Sequence, residues 1–260
     1  MPVIILCGGQ GTRIADIAQQ IPKPMLPIGD RPILWHIMKI YASHGYKDFY
    51  LTLGHLGWEI KNYFLNYKLK MSDFTLNYNP LGPDITILKD KDSIDWTITF
   101  VETGETTQTG KRIALCKDYI HSDHFMVTYG DGVGNIDIKQ LVEFHLQNGK
   151  MSTVTCVRPR SRFGDIETDQ TGLVTAFNEK PDAGGGNING GFFVFKQEFF
   201  SILDKFDNVM LEKEPMDDLV EKNQLIAYAH HGFWEPMDTS REFRDLNQLW
   251  QEGKAPWKIW

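Results

Sequence analysis

PVIILCGGQGTRIADIAQQIPKPM, residues 2–25, is the segment on which the assignment of the fold depends. Residues 3–7 form a short apolar run, long enough for a buried parallel strand. Three glycines, Gly8, Gly9 and Gly11, follow at once, so the backbone can turn tightly and approach a ligand. Backbone N–H groups in such a turn can bind an anion. The segment therefore predicts a strand that ends in an anion-binding turn.

Two cations accompany this turn. Thr12 adds a hydroxyl, and Arg13 adds a planar guanidinium that suits phosphate. Lys23 lies between Pro22 and Pro24, which restrict the backbone on both sides. A lysine on such a stiff segment can direct its charge at a phosphate. The alternative is a strand-to-helix turn without a ligand, and the nearby arginine and lysine argue against it.

The common glycine motifs do not match this turn. A Walker loop requires four residues between its glycines and then Gly-Lys-Ser/Thr, which is absent here. A dinucleotide fingerprint that starts at Gly9 would place its third glycine at Ile14. The acidic residue expected to follow, Asp30, falls in a Gly-Asp-Arg-Pro turn instead of at the end of a strand. An NAD-dependent enzyme is therefore not expected.

The composition is that of a globular protein. The chain has 260 residues, of which 42% are hydrophobic and 23% are charged, and its formal net charge is −7. This acidic balance argues against a general nucleic-acid binder. No apolar run is long enough for a membrane span, and no signal peptide is evident. The three cysteines are scattered, which favours free thiols in a reducing compartment, and we expect a cytoplasmic protein.

Strand and helix patterns alternate along the chain. This order predicts a parallel sheet with right-handed crossovers. Apolar residues at every second position between Ser72 and Val101 predict short or antiparallel strands there. No linker separates independent domains. We expect strands at Asp48–Leu53, His124–Tyr129, Met151–Val157, Gly190–Lys196 and Leu225–His230, a hairpin within Gly164–Phe177, and helices at Gly57–Tyr67, Asp137–Gly149 and Arg241–Glu252.

Two aspartates are candidate metal ligands. Asp131 follows an apolar strand and lies between two glycines, where a carboxylate can approach a metal that is bound to phosphates. Gly-Asp-Gly is also good turn chemistry, so a simple turn is an equal alternative from the residues alone. Asp238 is the second candidate, and capping of the last helix is its alternative role.

The motifs GGQGTR, PKPM, YGDGV, NEKP, NINGGFFVF and GFWEPMDT together resemble the sugar-1-phosphate nucleotidyltransferases. The resemblance runs from Val3 to Trp260 and is weakest between Met71 and Asp95. The segments TGETTQTGKR and APWKIW are similar to the branch that uses CTP. The stretch Asp84–Asp95 contains no motif that we can interpret.

The resemblance implies a fold and a reaction. We expect an α/β fold: a Rossmann-like, mainly parallel sheet with helices on both faces and a small antiparallel strand insertion. Residues 1–260 would form one domain, in which residues 1–150 bind nucleotide and residues 151–260 bind the sugar phosphate. The expected reaction transfers a cytidylyl group from CTP to glucose 1-phosphate, with Mg²⁺ as cofactor and without nucleic-acid or membrane partners.

The resemblance also assigns roles to individual residues. Catalytic roles fall on Arg13, Lys23, Asp131 and Lys180, and metal binding falls on Asp131 and Asp238. Nucleotide contacts fall on Leu6, Gly8, Gly9, Gly11, Thr12, Arg13, Lys23, Thr103, Thr107, Gly110, Arg112 and Gly130. Sugar-phosphate contacts fall on Glu179, Lys180, Asn189 and Gly190.

Two other functions and one structural question stay open. One is a related nucleotidyltransferase that uses another nucleotide or hexose phosphate. The other is a protein that binds nucleotide without turnover, against which the set Lys23, Asp131, Lys180 and Asp238 argues. Trp250, Trp257 and Trp260 crowd the C-terminus. These tryptophans would cover either an intermolecular interface or the chain's own surface, and the family's known assemblies favour a homo-oligomer.

Overall fold

The computed structural model describes residues 1–9, 21–90, 92–158, 165–168, 170–171, 173–178 and 186–260. Its strands are β1 Val3–Leu6, β2 Pro27–Ile28, β3 Arg31–Pro32, β4 Asp48–Leu53, β5 Ser72–Asn79, β6 Gly82–Asp90, β7 Thr97–Glu102, β8 His124–Tyr129, β9 Gly132–Gly134, β10 Ser152–Val157, β11 Asp165–Thr168, β12 Val174–Asn178, β13 Ile188–Asn189, β14 Phe193–Lys196, β15 Leu225–His230 and β16 Trp234–Pro236. Its α-helices are α1 Ile33–Ser43, α2 Gly57–Leu65, α3 Tyr67–Lys70, α4 Thr109–Ala114, α5 Ile138–Asn148, α6 Phe200–Leu203, α7 Glu214–Glu221 and α8 Ser240–Gln251.

The central sheet is mixed, and the strands β8, β1, β4 and β7 form a parallel block at one end of it. Its order is β15-β10-β14-β8-β1-β4-β7, and the short β13 continues the β14 side of β10. β1 lies between β4 and β8 and is parallel to both, and β7 is parallel to β4. β14 is antiparallel to β8 and to β10. The predicted Rossmann-like sheet is confirmed.

Helices cover both faces of this sheet. Val3 and Ile5 of β1 pack into a core with α1 and α5, whereas Ile4 and Leu6 pack into a second core with α4, α6 and α7. All four of these β1 side chains are almost completely buried. A strand buried on both faces explains why its sequence is continuously apolar.

The predicted antiparallel insertion is the hairpin β5–β6, which projects from the body of the fold. Its pairs Phe74–Ile87 and Leu76–Ile85 place apolar side chains on the same face of the ribbon. Phe74, Leu76 and Ile85 are each about two-fifths to half exposed. This apolar face of the hairpin is therefore largely uncovered in the single chain. The other alternating segment, β7, instead joins the main sheet.

The stretch Asp84–Asp95 includes the end of this hairpin and the return to the body. Asp92 anchors the return, because its carboxylate accepts hydrogen bonds from Tyr67 Oη at 2.6 Å and from Arg31 Nη2 at 3.0 Å. The Trp35 indole donates to the same Tyr67 hydroxyl at 2.9 Å. This part of the sequence thus has a structural role that its composition did not indicate.

The tryptophan-rich C-terminus packs against the chain's own helix α1. Trp257 is fully buried, and its indole Nε1 donates to His36 Nδ1 at 3.4 Å. Trp250 and Trp260 make edge-on or tilted contacts with the same imidazole. The intramolecular alternative therefore accounts for these residues. Trp257 is covered by its own chain, without an intermolecular interface.

Two predicted boundaries are wrong for local reasons. The helix predicted at Gly57–Tyr67 stops at Leu65, because Asn66 folds its side-chain amide back onto the carbonyl of Asn62 at 2.9 Å. The strand predicted at Gly190–Lys196 starts only at Phe193, because Gly191 and Phe192 have positive φ angles of 74° and 46°.

The remaining predicted elements match closely. β4, β8 and β15 have the predicted bounds. β11 and β12 form the predicted hairpin, although residues 169 and 172 of its turn lie outside the described residues. Among the helices that the structure describes, none combines the length and hydropathy needed to cross a lipid bilayer.

Candidate active site

A cleft opens at the carboxyl ends of β1, β7 and β8, where ligands bind in open α/β sheets. Its volume is about 610 Å³. The side of the cleft formed by β1 and β8 presents the glycine turn and Asp131, and the other side presents the loop before α4. The described residues that line it are Leu6, Gly8, Gly9, Lys23, Pro24, Glu105, Thr106, Thr107, Gln108, Thr109, Arg112, Tyr129, Gly130, Asp131 and Asp238.

Lys23 lies between the two predicted metal ligands. Its Nζ is 2.6 Å from Asp131 Oδ2 and also donates to Asp238 Oδ1. The lysine begins a short 3₁₀ helix, Lys23–Met25, in which Pro24 is buried and fixes the backbone. Residues distant in the sequence therefore converge on one point at the edge of the cleft.

Two antiparallel strands hold the aspartates together. β9 and β16 pair through Gly132–Pro236 and Val133–Glu235, directly beside Asp131 and Asp238. Asp238 then leads into α8, the longest of the described helices at 12 residues. The carboxylates are thus fixed by backbone pairing on one side and by a helix start on the other.

The electrostatics of this group favour a charged lysine. Burial by itself lowers the pKa of Lys23, but the charges and hydrogen bonds of Asp131 and Asp238 outweigh it and raise that pKa above its usual value. The lysine side chain is 13% exposed, so solvent screens these charges only partly. The site thus combines two carboxylates with one permanent cation.

The same two carboxylates fit a magnesium ion. Their oxygens converge on a single positive charge, which is the arrangement that a bound cation requires. In the described part of the chain, no third carboxylate, histidine or cysteine joins them. Mg²⁺ commonly takes one or two carboxylates and completes its shell with water and substrate phosphates. The donor set therefore suits a metal that arrives with a phosphate ligand.

Arg112 organises the start of the glycine turn. It is 4% exposed, and its guanidinium donates to the carbonyls of Gly8 at 3.0 Å and Leu53 at 3.1 Å and to the hydroxyl of Thr103. A Cβ at Gly8 would come within 2.0 Å of this guanidinium. Glycine is therefore favoured at this position by close packing, and Arg112 holds the backbone of Gly8 in place.

The loop before α4 is held by its own side chains. Thr103 donates to Leu53 O at 2.6 Å, and Thr107 donates to the carbonyl of Thr103. The backbone N–H of Gly110 donates to Val209 O at 2.9 Å, and a Cβ at Gly110 would lie 2.9 Å from the same atom. Thr107 lines the cleft, whereas Thr103 and Gly110 are buried beneath it.

The sugar-binding candidates meet the cleft through Tyr129. Asn189 Nδ2 donates to Tyr129 Oη at 3.0 Å, and Asn189 Oδ1 accepts from the N–H of Gly191 at 2.9 Å. Tyr129 in turn donates to Glu212 at 2.5 Å. Gly190 is buried, and its carbonyl accepts from the indole of Trp234 at 2.8 Å.

Sequence reasoning missed several residues of the cleft. Tyr129, at the end of β8, gave a signal, because it directly precedes the Gly-Asp-Gly turn. Glu105 and Gln108 line the cleft from a loop without a recognisable pattern. The predicted residues Gly11, Thr12, Arg13, Glu179 and Lys180 lie outside the described residues.

The thiols have no part in this site. Cys7 and Cys116 are buried and unpaired, and burial raises the pKa of both, for Cys116 to about 12. A thiol that stays protonated is a poor nucleophile.

Comparisons with known proteins identify the family of this chain. Residues 2–248 match the family model described as Nucleotidyl transferase. The chain is 44% identical to a glucose-1-phosphate cytidylyltransferase of Salmonella typhi and 43% identical to one of Salmonella typhimurium, over the full length of all three chains.

A solved structure supports the fold. The structure of UDP-glucose pyrophosphorylase complexed with UDP-glucose superimposes with a TM-score of 0.69, at 18% identity, over 97% of this chain and 98% of that one. Because the family model covers nearly the whole chain and the full-length relatives exceed 40% identity, the protein belongs to the nucleotidyl transferase family.

Proposed function

We propose that the protein transfers the cytidylyl group of CTP to glucose 1-phosphate, giving CDP-glucose and pyrophosphate. The convergence of Lys23, Asp131 and Asp238 at the edge of the cleft is the observation that carries this proposal. The full-length similarity to two glucose-1-phosphate cytidylyltransferases supports the choice of substrates.

The proposed reaction is one in-line displacement. A phosphate oxygen of glucose 1-phosphate attacks the α-phosphorus of CTP, a P–O bond forms, and the bond to the pyrophosphate oxygen breaks. The attacking oxygen is already ionised at neutral pH, so no general base is required. Positioning and charge stabilisation then supply most of the catalysis. Lys23 would neutralise the charge that grows at the α-phosphate.

Asp131 and Asp238 would hold the Mg²⁺ of the proposed reaction. When bound, Mg²⁺ supplies neutralisation of phosphate charge and a template for the reacting oxygens. Because Lys23 already contacts both carboxylates, binding of the metal and its phosphates requires the lysine to move from the carboxylates toward the α-phosphate. The amine is thus held next to its proposed site of action before the substrate arrives.

The remaining phosphate contacts extend this proposal. The glycine turn with Gly11, Thr12 and Arg13 would bind the β- and γ-phosphates. Lys180 would bring glucose 1-phosphate toward CTP against the repulsion between their negative charges, and Glu179 would bind its hydroxyls. Asn189 supports a sugar site at this end of the cleft, because its amide reaches the cleft-lining Tyr129.

Base selection is proposed for the loop from Thr103 to Arg112. Cytosine donates a hydrogen bond from its 4-amino group, where uracil carries an acceptor. A carboxylate accepts only, so it favours cytosine, whereas Gln and Thr side chains donate and accept and cannot discriminate in this way. Glu105 lines the cleft from this loop, and its Oε1 lies 3.9 Å from His55 Nδ1. We therefore assign Glu105 to the 4-amino group.

We also propose that the protein forms a homo-oligomer in the cytoplasm. The uncovered apolar face of the hairpin β5–β6 supports assembly, because an isolated two-stranded ribbon is marginally stable in water. The buried free thiols of Cys7 and Cys116 suit a reducing compartment.

Pyrophosphate release tests the proposed function. The purified protein is incubated with glucose 1-phosphate and Mg²⁺, and CTP is compared with UTP, dTTP, GTP and ATP. We expect release with CTP above all others. Release with another nucleotide would keep the mechanism but overturn the assignment of cytosine. Tight CTP binding without pyrophosphate release in the presence of any sugar phosphate would favour a binding protein.

A further inference from the structure

Glu242, in the first turn of α8, reaches back to the backbone that carries Asp238. Its Oε2 accepts hydrogen bonds from the N–H of Asp238 at 2.6 Å and from the N–H of Thr239 at 2.9 Å. Glu242 is 8% exposed, so water competes little for this carboxylate. A buried carboxylate that accepts two short backbone hydrogen bonds restricts the chain strongly.

One of these two hydrogen bonds exceeds the needs of the helix. Thr239 is the N-cap, and its hydroxyl accepts from the N–H of Glu242 at 3.4 Å, so Thr239 and Glu242 form a capping box. Of the two hydrogen bonds that Glu242 accepts, the capping box requires only the one from the N–H of Thr239, the cap residue. The bond to Asp238, which precedes the cap, adds nothing to helix capping but fixes the orientation of that residue.

The position of Glu242 also suits an acidic side chain. It lies at the N-terminus of a 12-residue helix, where the helix dipole favours a carboxylate. The Asp238 carboxylate meanwhile points to Lys23 and the cleft. Glu242 therefore fixes the main chain of Asp238, whereas the Asp238 side chain faces the cleft.

We propose that Glu242 is a positioning residue that fixes Asp238 for binding the divalent metal together with CTP. This proposal rests on the proposed function, because it needs Asp238 as a metal ligand. Partners that orient metal ligands commonly change metal affinity 10- to 100-fold when they are removed. The expected effect is thus a weaker metal complex with an otherwise folded protein.

The test measures Mn²⁺ binding in the presence of a non-hydrolysable CTP analogue, by electron paramagnetic resonance and calorimetry. Glu242→Ala removes both hydrogen bonds. Glu242→Asp keeps the charge at the helix start, but its side chain is too short to reach both N–H groups. If Glu242→Ala does not fold, Glu242→Asp takes its place in the test. We expect about a tenfold loss of Mn²⁺ affinity in either variant. Glu242→Gln retains an accepting oxygen and is expected to bind Mn²⁺ within about threefold of the unmodified protein.

Thr239→Val is the matched control, because it breaks the other half of the capping box and leaves the bond to Asp238. It should lower the melting temperature as Glu242→Ala does, while Mn²⁺ affinity stays within about threefold. Equal loss of Mn²⁺ affinity in Thr239→Val would show a purely structural role and overturn the proposal, as would unchanged affinity in Glu242→Ala. If Asp238→Ala also binds Mn²⁺ as the unmodified protein does, the proposed function itself fails.

Discussion

The backbone N–H of Met237 donates to the carbonyl oxygen of Asp131 at 2.8 Å. This bond continues the pairing of β9 with β16 by one step, to Asp131 itself and to Met237, the residue before Asp238. Asp131 and Asp238 are far apart in the sequence, yet a main-chain hydrogen bond joins Asp131 to the residue directly before Asp238. Their carboxylates therefore converge before any ligand binds, and this preorganisation reduces the cost of assembling the site.

Replacing Lys23 should strongly lower turnover and leave the fold intact. In Lys23→Ala the charge that develops at the α-phosphate loses the cation proposed to neutralise it, and we expect turnover to fall about 100-fold or more. Pyrophosphate release under saturating CTP and glucose 1-phosphate measures the effect, and circular dichroism checks the fold.

Lys61→Ala provides the control for Lys23→Ala. Lys61 also pairs with a carboxylate, that of Glu102, but neither residue lines the cleft. This variant should keep its turnover within about twofold, because an exposed ion pair contributes little to stability. If Lys23→Ala is as active as Lys61→Ala, the catalytic role of Lys23 is wrong.

The two glycines of the turn should respond differently to a methyl group. A Cβ at Gly8 meets the guanidinium of Arg112, which is buried and held by four acceptors, so Gly8→Ala must break hydrogen bonds. We expect the free energy of unfolding to fall by about 2 kcal/mol, and CTP binding to weaken with it.

Gly9→Ala serves as the comparison for Gly8→Ala. A Cβ at Gly9 meets no atom of the described residues within 4 Å, so the free energy of unfolding should change by less than about 0.5 kcal/mol. Because Gly9 lines the cleft, this variant should still weaken CTP binding. Urea unfolding and CTP titration measure both variants, and equal stability of the two would contradict the packing argument.

Much of the fold was predictable because local pattern and tertiary burial agree. The continuous apolar runs of β1 and β8 are strands buried on both faces. Failures occur where a single side chain or dihedral angle overrides the pattern. Asn66 ends α2 by a bond to its own helix, and Phe192 adopts a positive φ that no apolar pattern indicates.

The candidate site was predictable in its charges and less so in its contacts. Lys23 stands between two prolines, Asp131 stands between two glycines, and Asp238 follows Pro236 by two residues, and that local chemistry marks them in the sequence. Arg112, which was expected to contact the nucleotide, lines the cleft, and its guanidinium also donates to backbone carbonyls. Such a role depends on tertiary contacts with the glycine turn, which residue order alone does not show.

The apolar face of the hairpin should determine assembly. Leu76 and Ile85 are opposite each other on that face, and the double substitution Leu76→Lys with Ile85→Lys places two charges there. We expect the mass in solution to fall to that of a single chain, measured by sedimentation or light scattering at micromolar concentration.

The opposite face of the same hairpin supplies the control. Thr75 and Thr86 are paired and exposed there, so Thr75→Lys with Thr86→Lys adds the same charge without touching the apolar face. This variant should keep the oligomer. Loss of assembly in both double variants would mean that charge alone is responsible, and loss in neither would place the interface elsewhere.

Because the buried imidazole of His36 resists protonation, the protein should become less stable in mild acid. The imidazole is fully buried, its Nε2 donates to Ile28 O at 3.0 Å, and its Nδ1 accepts from Trp257. Burial lowers the pKa of His36 to about 4. Because the folded pKa lies below the unfolded value of about 6.5, the neutral ring stabilises the protein fully above pH 6.5. That contribution is lost as the pH falls toward 4, by about 3 kcal/mol at most.

Urea unfolding at pH 7.5, 6 and 5 measures this dependence. Burial also lowers the pKa of His145 to about 4, so the test compares variants rather than absolute slopes. His36→Gln should be less stable at pH 7.5, yet its free energy of unfolding should fall less steeply toward pH 5. His121→Gln, at an exposed position, should retain the unmodified slope. An unchanged slope in His36→Gln would show that the ring between Ile28 and Trp257 is not the acid-sensitive group, since no other part of the variant alters proton uptake on unfolding.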